Sequence, residues 1–272
     1  MTVLGPALQE HTATYVFAVC GHVDHSAFAA LPGIGESFPV RLLPFGALTA
    51  VVQHVEAAHF NEDAWRVRLS DERELERCAR AHHDVVSAAA LRGPTAPLPL
   101  ATLYRSDERA RQALRQDAER FHTVLRRIAG RVEWAVKVYA HTAPAPAPVL
   151  ATAPPAGEGH DRSSPCGGRA YLDRKRGLQK RREQRHDEAL RTAETVDSAL
   201  RTVAAASRRL RTHAQEPQEP GRTQVLNAAY LVDEERVDEV ARTIAGLRRS
   251  TGADIEMSGP WVPYSFVGEV GA

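Results

Sequence analysis

Cysteine is scarce in this 272-residue chain: there are three, Cys20, Cys78 and Cys166, far apart and without a C-x-x-C pair. So odd and dispersed a set excludes a disulfide framework and fits a reducing compartment. Lysine is equally sparse. Lys137, Lys175 and Lys180 are three of 35 basic residues, which we read as a GC-rich codon bias, not chemistry. No run approaches the ~18 apolar residues needed to span a bilayer. Residues 1–11 lack a basic stretch followed by an apolar one, so no secretory leader is expected. The chain is therefore expected to stay in the cytoplasm. A formal net charge of +1 gives no global attraction to nucleic acid or to an anionic membrane. No repeat at a fixed period points to a solenoid.

The motifs of chemistry are missing as well. Gly33-Ile34-Gly35 lacks the full spacing of a dinucleotide or phosphate loop and reads as a tight turn before a strand. No G-x-S-x-G elbow occurs. Cys78, His82 and His83 form a C-x3-H-H cluster, but a tetrahedral metal site needs a second pair of ligands that the sequence does not offer. The acidic residues lie among arginines on helix faces, as solvated ion-pair partners do. No enzyme activity, metal or cofactor is expected.

What is present is an ordinary globular composition, 43% hydrophobic and 25% charged, long enough for one large or two modest domains. One break divides it. Residues 141–168 alternate Ala and Pro before a Ser and Gly stretch, which blocks helix and favours an extended linker. We therefore expect an N-terminal domain over 1–141, a linker over 142–167 and a C-terminal domain over 168–272.

In the first part, strands are expected at 14–20, 38–43 and 47–55, the last two as a hairpin. A helix at 71–91 would bury Leu75, Ala79, His82, Val86 and Ala89, with Ser70 as its cap and Gly93-Pro94 as its stop. A short strand at 97–103 precedes a helix at 107–128, capped by Ser106, with Ala110, Leu114, Phe121, Leu125 and Ile128 buried. A strand at 132–140 follows. This order implies an α+β domain with a mainly antiparallel sheet. After the linker a long helix is expected over 169–212, its seam running through His186, Ala189, Ala193, Val196, Leu200, Val203, Ser207 and Leu210. A strand at 224–232, a helix at 233–249 burying Val237, Val240, Ala241, Ile244 and Leu247, and a strand at 253–257 complete an α-β-α-β order. That order is like half of a ferredoxin-like unit.

Several segments carry a resemblance. Gly168-Arg169-Ala170-Tyr171-Leu172 opens the long helix as G-x-x-Y-L. Residues 225–232 read VLNAAYLV, and 258–267 read SGPWVPYSFV, a long and unusual motif. In the first half, YVFAV at 15–19, Ala81-His82, LPLATLY at 98–104 and EWAVKV at 133–138 follow in order. Together these resemble the gas vesicle protein F/L family over nearly the whole chain outside the linker. Pro99 stands where many relatives carry Arg, and Val262 replaces a proline of the terminal motif.

The resemblance implies two α+β domains, the second ferredoxin-like. It also implies an accessory protein of gas vesicle assembly that contacts the hydrophobic major shell protein and other accessory proteins, without a catalytic centre. Candidate contacts are the tail aromatics Trp261, Tyr264 and Phe266, and the start of the long helix at Tyr171, Arg174 and Lys175. Two other readings stay open. One is nucleic-acid binding by the basic helix 174–185, although no aromatics interleave there for base stacking. The other is binding of a small ligand on the ferredoxin-like half.

Overall fold

The computed structural model describes residues 12–21, 23, 28, 31–35, 37–60, 62–141, 166–211 and 222–268, excluding the side chains of 62, 69, 141, 166–174, 178 and 182. The expected linker therefore lies outside the described residues up to 165. Within what is described, the chain forms two compact units. One holds Met1–Trp134, Leu231–Glu234 and Gly259–Ala272, and the other Ala135–Tyr230 and Glu235–Ser258.

The first unit is built on β1 (Thr12–Cys20), with β2 (Val40–Phe45) and β3 (Leu48–Glu56) as the expected hairpin. The sheet order is β2-β3-β1-β4, with β4 at Thr95–Pro97 and β5 (Leu103–Tyr104) also pairing with β1. Each of the pairings β1–β3, β1–β4, β1–β5 and β2–β3 is antiparallel, and the α+β reading holds. From Tyr15 to Cys20 every residue of β1 is fully buried. A strand covered on both faces reads as a continuous apolar run, which is how TYVFAVC appears in the sequence.

Helix α1 (Glu62–Ser70) is a correction, since no helix was expected before residue 71. It is short and mostly polar, and its anchor is Trp65, stacked on Tyr15 at 6.3 Å and edge-on to Phe60 at 5.8 Å. Ser70 closes α1 by donating to the Arg66 carbonyl. The cap of α2 (Glu72–Ala90) is instead Asp71, whose carboxylate accepts from the Arg73 and Glu74 amides. The buried face of α2 is Cys78, His82, Val85, Val86 and Ala89, while Leu75 and Ala79 face solvent.

The strand expected at 97–103 is cut in two. The Thr102 amide and hydroxyl both return to the Pro99 carbonyl, which makes a turn. The helix expected at 107–128 likewise divides at Asp117 into α3 (Asp107–Gln116) and α4 (Ala118–Ile128), capped at the start by Ser106 as expected. All five of its expected core residues are buried.

Two polar anchors fix this unit. Gln53 is fully buried on β3. Its amide oxygen accepts from the Ile34 and Gly35 amides, and its nitrogen donates to the carbonyls of Pro32, Gly35 and Phe38. The loop around Gly33 is thus wound on one side chain. Gly33 sits at φ +68°, and an added Cβ there would lie 2.4 Å from the Gln53 oxygen. Asp107, at the start of α3, accepts from Arg41, His54 and Thr14. Burial raises its carboxyl, but the His54 and Arg41 hydrogen bonds outweigh that and hold it far below the usual range.

The second sheet has the order β7-β8-β6-β9. Its elements run β6 (Arg131–His141), α5 (Cys166–Val203), β7 (Ala206–Arg209), β8 (Arg222–Asp233), α6 (Val237–Thr251) and β9 (Asp254–Trp261). This is the β-α-β-β-α-β sequence of a ferredoxin-like fold, complete where half was expected. Its first strand, β6, stands before the expected linker. Its second, β7, replaces the helix turns expected at 206–212.

The helical spacing of Ser207 and Leu210 gives way to sheet pairing. The Leu210 amide donates to the Asn227 carbonyl, and the Asn227 side chain donates to the Arg211 carbonyl. The seam that does pack is Ala193, Val196, Leu200 and Val203, while His186 is exposed. On α6 the core positions are Val240 and Ile244, and Ala241 is exposed.

Within the α5 seam, Asp197 is buried and accepts from the Tyr230 hydroxyl at 2.7 Å and from both Nε and Nη2 of Arg209. Burial raises this carboxyl, but Tyr230, Arg209 and Arg201 outweigh it, so its pKa lies below the ordinary value. Asp197→Asn is expected to cost about 2 kcal/mol in urea unfolding at neutral pH, and Tyr230→Phe about 1 kcal/mol. Because the folded carboxyl is depressed, the Asp197 contribution is present above the unfolded pKa near ~4 and fades as pH falls through the folded value.

Candidate functional site

The terminal motif is held down by a carboxylate. Glu133, buried at the start of β6, accepts the Ser265 amide at 2.8 Å on one oxygen and the Ser265 hydroxyl at 2.7 Å on the other. Both acceptors of a buried anion are thus used within the motif, as burial of charge requires. Phe266 and Val267 follow into the core, at 3% and 5% exposure. Arg120 donates to the Val267 carbonyl, and the Arg127 guanidinium lies 5.8 Å from the Phe266 ring centre. Upstream, Gly259 has φ +142°, and a Cβ there would meet the Glu133 carbonyl at 2.8 Å and the Trp134 ring at 2.9 Å. Only glycine lets the chain lie so close to β6.

Between these anchors the chain makes a short 3-10 turn over Tyr264–Phe266. Trp261 and Tyr264 remain 43% and 37% exposed. Both lie against His83 of α2, with ring centres 5.6 and 6.0 Å away. The Tyr264 oxygen is 3.4 Å from His83 Nδ1, and the Ser87 hydroxyl is 3.2 Å from Nε2. Burial pushes the Tyr264 hydroxyl up, so it stays a neutral phenol.

One residue earlier on α2, His82 faces inward at 4% exposure, and its Nδ1 is 2.8 Å from the Tyr15 hydroxyl. The Ala101 amide, at a left-handed φ of 70°, donates to that same oxygen. With that oxygen already accepting from the amide, the hydroxyl proton is free to serve the Nδ1 contact. Burial, reinforced by the neighbouring His83, pushes His82 down to about 4 against an opposing contribution from the Leu98 backbone. The imidazole is neutral and structural.

This arrangement offers a platform of two half-exposed aromatic rings and an imidazole on a rigid base. Burial raises the Cys78 thiol, and only the thiolate form would act as nucleophile or metal ligand. Among the described residues no group of three His, Cys, Asp or Glu is placed to hold a metal, and no helix is long and apolar enough to cross a membrane.

The six sequence candidates separate. Trp261 and Tyr264 form the exposed rings, and Phe266 is core. Lys175 is exposed on α5, far along the chain from the aromatic turn. The Tyr171 and Arg174 side chains lie outside the described residues. Sequence reasoning missed His83 as the third member and Glu133 as the anchor. Glu133 stood in the EWAVKV segment, where a single acid in an apolar strand is a signal of buried pairing.

Comparison with known proteins bears on the same segments. The family model described as gas vesicle synthesis protein GvpL/GvpF matches residues 13–268. Gas vesicle protein L of Streptomyces sp. (strain CB03234) is 38% identical over 257 residues, covering 93% of this chain and 92% of its own. The fold is similar to the crystal structure of GvpF from Anabaena sp. PCC7120, with a TM-score of 0.64 at 14% identity over 96% of this chain and 98% of that one. It is also similar to GvpF from Microcystis aeruginosa, with a TM-score of 0.59 at 14% identity over 94% and 99%.

The His82 site makes a pH prediction. Its folded pKa lies below the unfolded value near ~6.5, so the unfolded chain takes up the proton first as pH falls. Stability contributed by neutral His82 is complete above that unfolded value and declines between it and about 4. The loss across this window is expected to reach roughly 3 kcal/mol. His82→Gln, which does not titrate, should flatten the decline in urea midpoints measured from pH 7 to pH 4.

Proposed function

The chain belongs to the GvpL/GvpF family of gas vesicle synthesis proteins, and from that premise we propose that it is a non-catalytic accessory factor that binds the hydrophobic shell protein in the cytoplasm during vesicle formation. The observation that carries this reading is the aromatic turn, where two large rings stay half exposed while Gly259 before them lies close against Glu133 and Trp134, and Ser265, Phe266 and Val267 are held by Glu133, the core and Arg120. Trp and Tyr with rigid support are the residue types that dominate binding energy at interfaces. A shell protein that forms an apolar wall exposes apolar surface before it is assembled. A partner with a preformed aromatic platform covers such surface at little ordering cost. On this reading Trp261, Tyr264 and His83 make the contact, and Glu133, Ser265 and Phe266 hold them in place. No catalytic step is assigned to the chain.

The test is co-purification of tagged protein with co-expressed major shell protein, repeated at high salt. Retention at high salt is expected, because an apolar contact is not screened. Trp261→Ala with Tyr264→Ala should leave the unfolding midpoint nearly unchanged and lower shell-protein affinity by roughly 30-fold, the scale of two interface anchors. Phe266→Ala should do the reverse first, destabilising the fold by about 3 kcal/mol or more. Undiminished binding by the folded double variant would remove the aromatic turn from the interface.

A further inference from the structure

Between the loop at 31–35 and helix α2 the surface of the first unit is hollowed into a groove of about 420 Å³. Its loop side is preformed, because the buried Gln53 amide holds the Pro32 and Gly35 carbonyls and the Ile34 and Gly35 amides. Leu31, Pro32 and Ala81 give the groove apolar surface, and Ile34 and Val85 lie buried beneath it. The remaining lining of α2 is charged: Arg73, Glu76, Arg77, Arg80 and Asp84, all exposed.

These charges are not equivalent. Arg77 pairs with Glu74 and Arg80 with Glu76, each within α2. Pairs three and four residues apart are satisfied by the helix itself and ask nothing of a partner. Arg73 and Asp84 are different, since among the described residues neither side chain has an ion-pair or hydrogen-bond partner. They stand eleven residues apart, about 16 Å along the helix at ~1.5 Å per residue. The groove thus has a free cation towards one end, a free anion towards the other and apolar surface between them.

A partner helix does not fit this space. At ~10 Å across, a helix spanning that distance displaces about three times the groove's volume,. An extended chain is narrower, and it presents alternate residues to one face at ~6.7 Å intervals. Residues at i, i+2 and i+4 span roughly 13 Å, and the long Arg73 side chain reaches across the remainder.

We propose that this groove docks an extended segment of a partner protein that carries an acidic, an apolar and a basic residue at alternate positions. The acid meets Arg73, the apolar residue lies between Leu31 and Ala81, and the base meets Asp84. The two free charges at opposite ends fix which end of the segment lies where. A wholly acidic segment would set a carboxylate against Asp84, and a wholly basic one would set a cation against Arg73. A nucleic acid would meet the Asp84 carboxylate in the same way. The groove uses no residue of the aromatic turn and does not depend on that reading.

The experiment uses the full chain and three fluorescent peptides of one length with a central leucine. They carry glutamate and lysine, two glutamates, or two lysines at the flanking alternate positions. The mixed peptide should bind roughly 5-fold more tightly than either of the others, the scale of one exposed ion pair replaced by like-charge repulsion. Serine in place of its leucine should weaken it roughly 10-fold. Arg73→Glu should move the preference to the two-lysine peptide, and Asp84→Lys should move it to the two-glutamate peptide. Both substitutions are at exposed helix positions, so the urea midpoint should stay nearly unchanged. Equal binding of all three peptides, binding of none, tightest binding of the two-glutamate or two-lysine peptide to the unaltered chain, or preferences that ignore the two substitutions in folded protein would overturn the proposal.

Discussion

A strand buried on both faces has no water for its polar side chains, so each must find a partner inside. In β1 that constraint falls on Tyr15, whose hydroxyl accepts from the Ala101 amide and bonds to His82. This one oxygen ties the central strand to the turn after β4 and to the inward face of α2. The rotation of α2 follows from it. With His82 turned in, its neighbour His83, about 100° further round the helix, is left to face the terminal motif. The platform for Trp261 and Tyr264 is therefore a consequence of how a core tyrosine is satisfied.

The same rule organises the rest. Each buried polar side chain with a large role closes a loop or a tail. Gln53 gathers Pro32, Gly35 and Phe38 around its amide, Glu133 holds Ser265, and Asn227 fixes the strand after α5. Asp197 joins the α5 helix to Tyr230. The segments that carry the family resemblance meet one another at these points. YVFAV, Ala81-His82 and LPLATLY converge on Tyr15, EWAVKV meets PYSF through Glu133 and Ser265, and LNAAYLV supplies Asn227 and Tyr230. The substituted Pro99 is exposed and contributes a carbonyl that any residue would supply. Val262 packs against the core cluster of the first unit, so its side chain is used as apolar volume.

What was legible in the sequence is what local pattern decides. The strands β1, β3, β6 and β8, the Ser106 cap and the core face of α3 and α4 follow from apolar runs, period and capping chemistry. What was not legible depends on tertiary contact. Helix α1 has little apolar pattern and exists because Trp65 reaches Tyr15 and Phe60. Asp117 divides α3 from α4 with no proline or glycine to announce it. Helix α5 stops at Val203 because the next residues pair with β8, although Ser207 and Leu210 keep the helical step. The ferredoxin-like unit looked halved because its first strand stands on the far side of an Ala-Pro stretch. For the site, the motif SGPWVPYSFV pointed to the right segment. Three aromatics in one motif gave no means of telling that Phe266 would be core and the other two exposed. His83 gave no signal beyond adjacency to His82.

A photo-reactive benzophenone side chain at position 261, in cells co-expressing the major shell protein, tests the central claim most directly. The account predicts a cross-link to the shell protein from 261 and from 264. It predicts none from position 91, where Leu91 is 86% exposed in the same unit but distant in sequence from the aromatic turn. Equal cross-linking from 91, or none from 261 and 264 in a folded protein, would contradict it.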